Sequence, residues 1–236
     1  MNTKARLYLF PSSLSDDAGS EWLCTKQLES CDTIEVWFAE NERTARRFLR
    51  SIGYRKEFDE SNLFRLDKDT SSADLDAYGK ILLNVSNAAI LSEAGCPGIA
   101  DPGAELVKRA HRLGIEVIAL PGPSSVLLAL MASGFSGQQF TFHAYLPIDP
   151  SQRKAKLRLL EQDASQNGAS HLFIETPYRN DQVFESILET CKPDTLLCIA
   201  VNLTSPSGFT KTLKIADWQK EIPSLHKIPV VFIFGK

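Results

Sequence analysis

Apolar and polar positions alternate or repeat along most of the chain, and their periods predict a regular succession of strands and helices. RLYLF at 6–10 reads as a first strand, stopped by Pro11. Residues 20–29 have helical spacing, with Trp22, Leu23 and Leu28 on the inner side. TIEVWF at 33–38 is β-branched and aromatic and reads as a second strand. A helix over 41–52 follows, with Asn41 as its cap and Gly53 at its end. Residues 55–76 are polar and charged and yield no assignment. NAAIL at 87–91 reads as a buried strand, 103–113 as a helix with Leu106, Val107, Ala110 and Leu113 inside, and IEVIAL at 115–120 as another buried strand. Strand and helix thus alternate through the first half with short connections, which predicts a largely parallel sheet covered by helices.

The second half opens with PGPSSVLLALMASG, a sharp turn and a short apolar helix ending near Gly134. Further elements are expected as a strand within 137–147, a basic helix at 151–165, a strand at 170–175 and a helix at 180–191. Strands at 195–201, 209–215 and 229–234 complete the chain. The change of character places a domain boundary near residue 120. The expectation is an α/β protein with an N-terminal α/β domain over 1–120 and a C-terminal α/β domain over 121–236.

Composition narrows the function classes. The 236 residues are 43% hydrophobic, enough for one or two cores. A net charge of −3 and a pI near 5.9 give no global attraction to nucleic acid. The N-terminal apolar run is too short for a signal peptide, and no run approaches a membrane span. Five cysteines without a C-x-x-C pair fit reduced thiols in a cytoplasm. The four histidines have no ligand spacing with them, so no metal site is expected.

The chemistry concentrates in SEAGCPGIADPG at 92–103. Gly95, Gly98 and Gly103 permit positive φ and close approach of a ligand to the backbone, while Pro97 and Pro102 stiffen the loop. Such a loop after a parallel strand lies where open α/β sheets bind ligands. It lacks the lysine of a P-loop and the spacing of a dinucleotide fingerprint. Its acids suit a ligand with cationic or hydroxyl donors, such as S-adenosylmethionine, with Asp101 or Glu93 as acceptor. An ordinary tight turn is the alternative. LPGPSS at 120–125 is a second such loop, whose serines could bind a ligand or cap the next helix.

These two loops, in this order and followed by FHAYLP, resemble the tetrapyrrole methylase superfamily of S-adenosylmethionine-dependent methyltransferases. The likeness is nearest to the branch that methylates a ribose 2′-hydroxyl of a cytidine in small-subunit ribosomal RNA. AENER at 39–43 is similar to that branch's A-E-D-T-R, and FIETPYR at 173–179 to its F-Y-E-x-P-H-R. The resemblance implies two α/β domains with the cofactor in the cleft between them, a cytoplasmic homodimer, and ribosomal RNA or the small ribosomal subunit as partner, with no membrane. By matching motif, the cofactor would touch Gly95, Cys96, Pro97, Ile99 and Asp101, then Ser124 and Ser125, and the backbone near Ala144. Thr176, Ala200, Asn202, Leu203, Ile228 and Pro229 would complete the pocket.

Glu40 and Glu175 are the acids retained in the matching motifs and are the candidates to orient or deprotonate the acceptor. Each has a structural alternative, an ion pair with Arg43 and with Arg179 respectively. Arg43, Arg46, Arg47 and Arg50 follow a helical stripe suited to a phosphate backbone, or to a solvated face balanced by nearby glutamates. Arg43, Arg47, Arg50 and Arg179 are the substrate candidates. The sequence departs from the branch at 11–17, where Asp16 and Asp17 replace glycine and asparagine, and at 201, 202 and 205, where arginine, glutamate and lysine are lost. A small-molecule acceptor such as a tetrapyrrole, and a non-catalytic cofactor-binding role, are the competing readings.

Overall fold

The computed structural model describes residues 5–15, 21–59 and 61–236. The chain divides into two compact units, one ending at Ser124 and one beginning at Ser125, so the cut falls within LPGPSS.

The N-terminal unit holds a five-stranded sheet in the order β3-β2-β4-β1-β5. Its strands are β1 (Arg6–Phe10), β2 (Val36–Ala39), β3 (Leu63–Arg65), β4 (Asn87–Leu91) and β5 (Glu116–Ala119). Every pairing is parallel, with Tyr8 beside Ala89 and Phe38 beside Ile90. Successive side chains on a strand point to opposite faces. Tyr8, Phe10, Trp37 and Ala89 therefore pack on one side with Ala45 and Leu49 of helix α2 (Glu42–Ser51). Leu7, Phe38, Ala88 and Ile90 pack on the other with Leu75 and Leu82 of α3 (Ser72–Leu83) and Leu106 and Ala110 of α4 (Ala104–Arg112). Asn41 caps α2, its side chain accepting from the N–H groups of Arg43 and Thr44.

Several expectations are corrected. The first helix, α1, spans Thr25–Cys31, and residue 20 lies outside the described residues. Trp22 is exposed, Leu28 is half-buried, and it is Gln27 that is buried, its amide donating to the Pro11 carbonyl. The unassigned 55–76 segment contains β3 and the start of α3, where Ser71 and Asp74 form a reciprocal capping box. β5 is not buried. It has β1 as its neighbour on one side only, and Arg6 pairs with Glu116 across that edge. Leu113 follows the end of α4 and is exposed.

The C-terminal unit holds a second five-stranded sheet, ordered β6-β7-β10-β8-β9. These are β6 (Phe140–Tyr145), β7 (Ser170–Ile174), β8 (Leu196–Val201), β9 (Phe209–Lys214) and β10 (Val230–Gly235). β6 and β7 run parallel, and the remaining pairs are antiparallel, so the sheet is mixed. One face packs Phe173, Ile199 and Phe232 against α6 (Pro150–Asn167), α7 (Asn180–Thr190) and the short α8 (Ile215–Trp218). The other packs Leu172, Cys198 and Ile233 against Val126, Ala129 and Leu130 of α5 (Ser125–Ser133). Among the described residues, no helix is long and apolar enough to cross a membrane.

Candidate functional site

In the N-terminal unit, β4, β1 and β5 are neighbours and parallel, so the loops that leave them meet at one edge of the sheet. They are bonded to one another. The Ser12 N–H donates to the Gly95 carbonyl at 2.9 Å, and the Cys96 thiol donates to the Pro123 carbonyl at 3.4 Å. Gly95 has φ of +80°, and a Cβ there would lie 3.0 Å from the Pro123 oxygen and 2.9 Å from Leu14 Cδ2. The glycine at this position admits a neighbouring loop. Gly98, with φ of +78°, has open space where its Cβ would be, and Ile99 beside it is exposed. Ala100 also has positive φ, at +56°. Positive φ at a residue with a Cβ carries strain that persists only where the surroundings hold it, and such strain clusters at ligand sites.

Burial pushes the Asp101 carboxyl up to about 7, the negative charges of Glu40 and Glu93 add to the effect, and the Ser92 hydroxyl opposes it. Glu40 is likewise raised, by burial first and then by Glu93 and Asp67, with Arg65 and Lys68 opposing. Glu40 lines a hollow of about 320 Å³ with Arg65, Asp67, Lys68 and Glu93. The cations that act on Glu40 are thus Arg65 and Lys68 rather than the Arg43 expected as its ion-pair alternative. Glu93 is held in place: it accepts from the Thr44 hydroxyl at 2.7 and 2.8 Å and from the Asn41 N–H at 3.2 Å. A carboxylate at a helix N-terminus is favoured by the dipole. Among the described residues, Asp101 and Glu40 are carboxyls of this edge with raised affinity for a proton. A second hollow, of about 400 Å³, is lined by Ser12, Thr44, Arg47, Phe48, Ser92 and Glu93 among others.

The arginine stripe lies on the outer face of α2, and its members differ. Arg46 pairs with Glu42 at 3.3 Å. Arg50 donates to the Tyr54 carbonyl at 2.8 Å, with its guanidinium 4.9 Å from the Phe58 ring centroid. Arg43 is exposed, and Arg47 lines the larger hollow. Asp16 and Asp17 lie outside the described residues.

In the C-terminal unit, the ends of β6, β7 and β8 and the start of β10 share one edge: Tyr145 and Val231 both pair with Ile174, and Val231 pairs with Ala200. Ala144, Thr176, Ala200, Asn202, Leu203, Ile228 and Pro229 gather there. The Asn202 N–H donates to the Pro229 carbonyl at 2.9 Å, and the Asn180 amide to the Ile228 carbonyl at 2.7 Å. Ala144 and Asn202 both have positive φ, at +52° and +46°. Leu203 packs under α5, and Ala200 is fully buried. Glu175 is buried and forms its structural alternative, an ion pair with Arg179 at 2.8 Å, while accepting from the Thr176 N–H at 2.7 Å. Ser125 begins α5, and Ser124 is the last residue of the first unit.

Sequence reasoning missed two features. The Asp101 carboxyl's raised proton affinity depends on strand order. His143 and His171 meet across β6 and β7 although 28 positions separate them.

A strained, proline-stiffened loop at the carboxyl edge of a parallel sheet, with two protonatable carboxyls, makes these strand ends the candidate ligand site of an α/β protein. The chain belongs to the tetrapyrrole methylase family: the family model for Tetrapyrrole (Corrin/Porphyrin) Methylases matches residues 25–216. It is therefore a methyltransferase. It is 33% identical over 211 residues to a ribosomal RNA small subunit methyltransferase I of Leptospira borgpetersenii serovar Hardjo-bovis, covering 87% of this chain and 78% of that one. A protein of the same description from Escherichia coli O157:H7 is 26% identical over 235 residues, covering 98% and 78%. Among solved structures, uroporphyrin-III-C-methyltransferase from Thermus thermophilus superposes with a TM-score of 0.61 at 18% identity, covering 99% of this chain and 95% of that one. The methyltransferase CobJ gives 0.62 at 17%, covering 98% and 93%. At these identities the structural likeness speaks for the fold alone.

Proposed function

We propose that the chain transfers a methyl group from S-adenosylmethionine to a ribose 2′-hydroxyl of small-subunit ribosomal RNA. The observation that carries this reading is the 33% identity to a ribosomal RNA small subunit methyltransferase I along 87% of the chain. The edge of the N-terminal sheet suits the donor. Gly98 leaves open space for a ligand beside the strained Ala100, and the acids of the edge complement a cationic group.

When bound, S-adenosylmethionine supplies an electrophilic methyl group on a sulfonium. The residues of the chain must then orient the acceptor, exclude water and take the hydroxyl proton as the C–O bond forms and the C–S bond breaks. Asp101, raised to about 7, is matched to take a proton near neutral pH, and Glu40 is the second carboxyl for this task. Glu175 serves by holding Arg179 rather than as a base, since its carboxylate is buried in that ion pair. Arg43 and Arg47 supply positive charge for RNA phosphate, and Arg50 supports the fold beside Phe58.

The reading is tested by calorimetry with S-adenosylmethionine and its demethylated product, followed by methyl transfer to small ribosomal subunits that lack the modification. Micromolar binding and transfer that rises with pH through about 7 are expected. Binding without transfer to any RNA would support a non-catalytic role, and no binding at millimolar ligand would overturn the reading.

A further inference from the structure

Two tight turns of the C-terminal unit stand side by side. In the first, which leads from β7 into α7, the Arg179 N–H donates to the Thr176 carbonyl at 2.8 Å. Pro177 presets the backbone at the second place of that turn, and Tyr178 occupies the third, at its tip. In the second, just before β10, the Ile228 N–H donates to the Leu225 carbonyl at 3.4 Å, with His226 and Lys227 at the tip. The turns are braced to each other. The Lys227 N–H donates to the Pro177 carbonyl at 2.9 Å, and the fully buried Asn180 donates its amide to the Ile228 carbonyl at 2.7 Å. The Asp181 carboxylate accepts from the Leu225 N–H at 3.1 Å.

This braced backbone carries an aromatic ring and a cation on its outside. Tyr178 is 68% exposed, the most exposed of the phenylalanine, tyrosine and tryptophan rings among the described residues. The His226 ring meets it edge-on, with centroids 6.1 Å apart. The Lys227 ammonium lies over the Tyr178 ring, 5.7 Å from its centroid, within the range of a cation–π contact. Lys227 has φ of +61°. Glycine would take positive φ at this place in a turn without strain, so a lysine there is kept at a cost. Strain of this kind clusters at ligand sites. The carboxylates of the two turns are engaged: Glu175 pairs with Arg179, and Asp181 holds the Leu225 N–H and lies 3.9 Å from His226 Nδ1. Neither engages Lys227, whose charge remains for an incoming anion.

We propose that Tyr178 and Lys227 form a platform on the C-terminal unit for one unpaired nucleotide of an RNA strand, the Tyr178 ring stacking on the base and the Lys227 ammonium meeting an adjoining phosphate. This inference rests on the functional reading above, which supplies RNA as the partner. An exposed ring stacks on any base, and a cation beside it pairs with the backbone; together they are the working parts of surfaces that hold single strands. In a duplex each base face is covered by its neighbour in the stack, so the platform selects unpaired nucleotides. The bracing between the turns fixes the ring and the ammonium before RNA arrives, and less freedom is lost on binding. Where the motif F-Y-E-x-P-H-R has histidine, this chain has Tyr178, a larger face for stacking.

The test is binding of the full chain to a single-stranded RNA of about ten nucleotides that carries fluorescent purine analogues, whose emission falls on stacking. Tyr178→Ala is expected to weaken binding about 10-fold and to remove the fall in emission, while Tyr178→Phe keeps both near wild type. Lys227→Gln is expected to flatten the log–log salt dependence by about 0.7. Both side chains are exposed, so the variants should keep the wild-type circular dichroism. Binding of duplex RNA, and of S-adenosylmethionine by calorimetry, is expected to be alike in wild type and Tyr178→Ala. The platform would be overturned by wild-type protein that does not bind the single strand, by equal affinity in Tyr178→Ala, or by an equal loss on duplex RNA. Weaker S-adenosylmethionine binding in Tyr178→Ala would also overturn it, by assigning the ring to the donor. Stacking that depends on Tyr178, in a wild-type protein that transfers no methyl group to small ribosomal subunits, would leave the platform standing and overturn the functional reading.

Discussion

Asp101→Asn is expected to make the N-terminal unit more stable at alkaline pH and to change it little in acid. The folded chain holds the Asp101 carboxyl up to about 7, against 3.8 for an unperturbed group. Between those values the folded state keeps a proton that the unfolded state has released. Raising the pH across that window therefore favours unfolding, and the loss is complete once the folded group ionises above about 7. A displacement of this size amounts to about 4 kcal/mol at face value. The side chain is half-buried, so solvent screening takes about half, leaving ~2 kcal/mol. Asparagine does not titrate and avoids this cost.

The difference between variant and wild type should thus grow by about 1 kcal/mol from pH 5 to pH 8 and then level off. In melting temperature that is a widening gap of about 3 °C for a unit of this size. Thermal unfolding of both proteins at four pH values, by circular dichroism without ligand, reads it directly. A gap that does not change with pH, or a variant less stable than wild type at pH 8, would refute the argument that burial and the Glu40 and Glu93 charges raise this carboxyl.

Further outcomes follow from the same structure. Gly95→Ala places a Cβ 3.0 Å from the Pro123 carbonyl at a φ of +80°, and should cost about 2–3 kcal/mol in denaturant unfolding; a loss under about 0.5 kcal/mol would contradict the packing of the two loops. Glu175→Ala strands Arg179 beside a buried site and should destabilise the C-terminal unit by about 3 kcal/mol, with Glu175→Ala/Arg179→Leu recovering part of the loss. Arg43→Ala should flatten the salt dependence of binding to single-stranded RNA by about 0.7 in log–log slope, whereas Arg46→Ala, whose side chain pairs with Glu42, should leave the slope nearer to wild type. Equal slopes in the two variants would remove the RNA role from α2.

The sequence was most legible where local pattern and burial agree. β1 and β4 appear with the expected bounds because each has a run of four apolar residues inside the sheet, begun by one polar residue and ended by a turn. Asn41 caps α2 as its residue type demands. Legibility failed where a third dimension decides. IEVIAL reads as buried, yet β5 is an edge strand, and nothing in its six residues says which strand stands beside it. α3 buries Leu75, Gly79 and Leu82 on a narrow stripe, too sparse against its polar positions to show a helical period. Within the candidate site, the glycines and prolines of 92–103 announced a strained loop. The state of Asp101 depends first on its burial in the folded loop and then on Glu40 and Glu93, carried by the turns that leave β2 and β4. Glu93 reaches Asn41 across 52 positions, a contact no window of sequence contains.

The pairing of the two glycine–proline loops has a structural cause that neither loop shows alone. β4 and β5 flank β1 on its two sides, so SEAGCPG and LPGPSS emerge to the left and right of the Pro11–Ser12 turn. The Ser12 N–H bonds the first loop through the Gly95 carbonyl, and the Cys96 thiol bonds the first loop to the second through Pro123. Burial raises that thiol, which keeps it a neutral donor rather than a reactive thiolate. Gly95 lets the Pro123 carbonyl approach to where a Cβ would lie only 3.0 Å from its oxygen, a distance that a side chain would meet only with a local shift. The three turns are therefore tied together by direct contacts, Ser12 to Gly95, Cys96 to Pro123 and Gly95 against Pro123. The order and spacing of the motifs in the chain are the linear trace of this interlock, and so the two loops together identify the family where either one alone would pass for an ordinary turn.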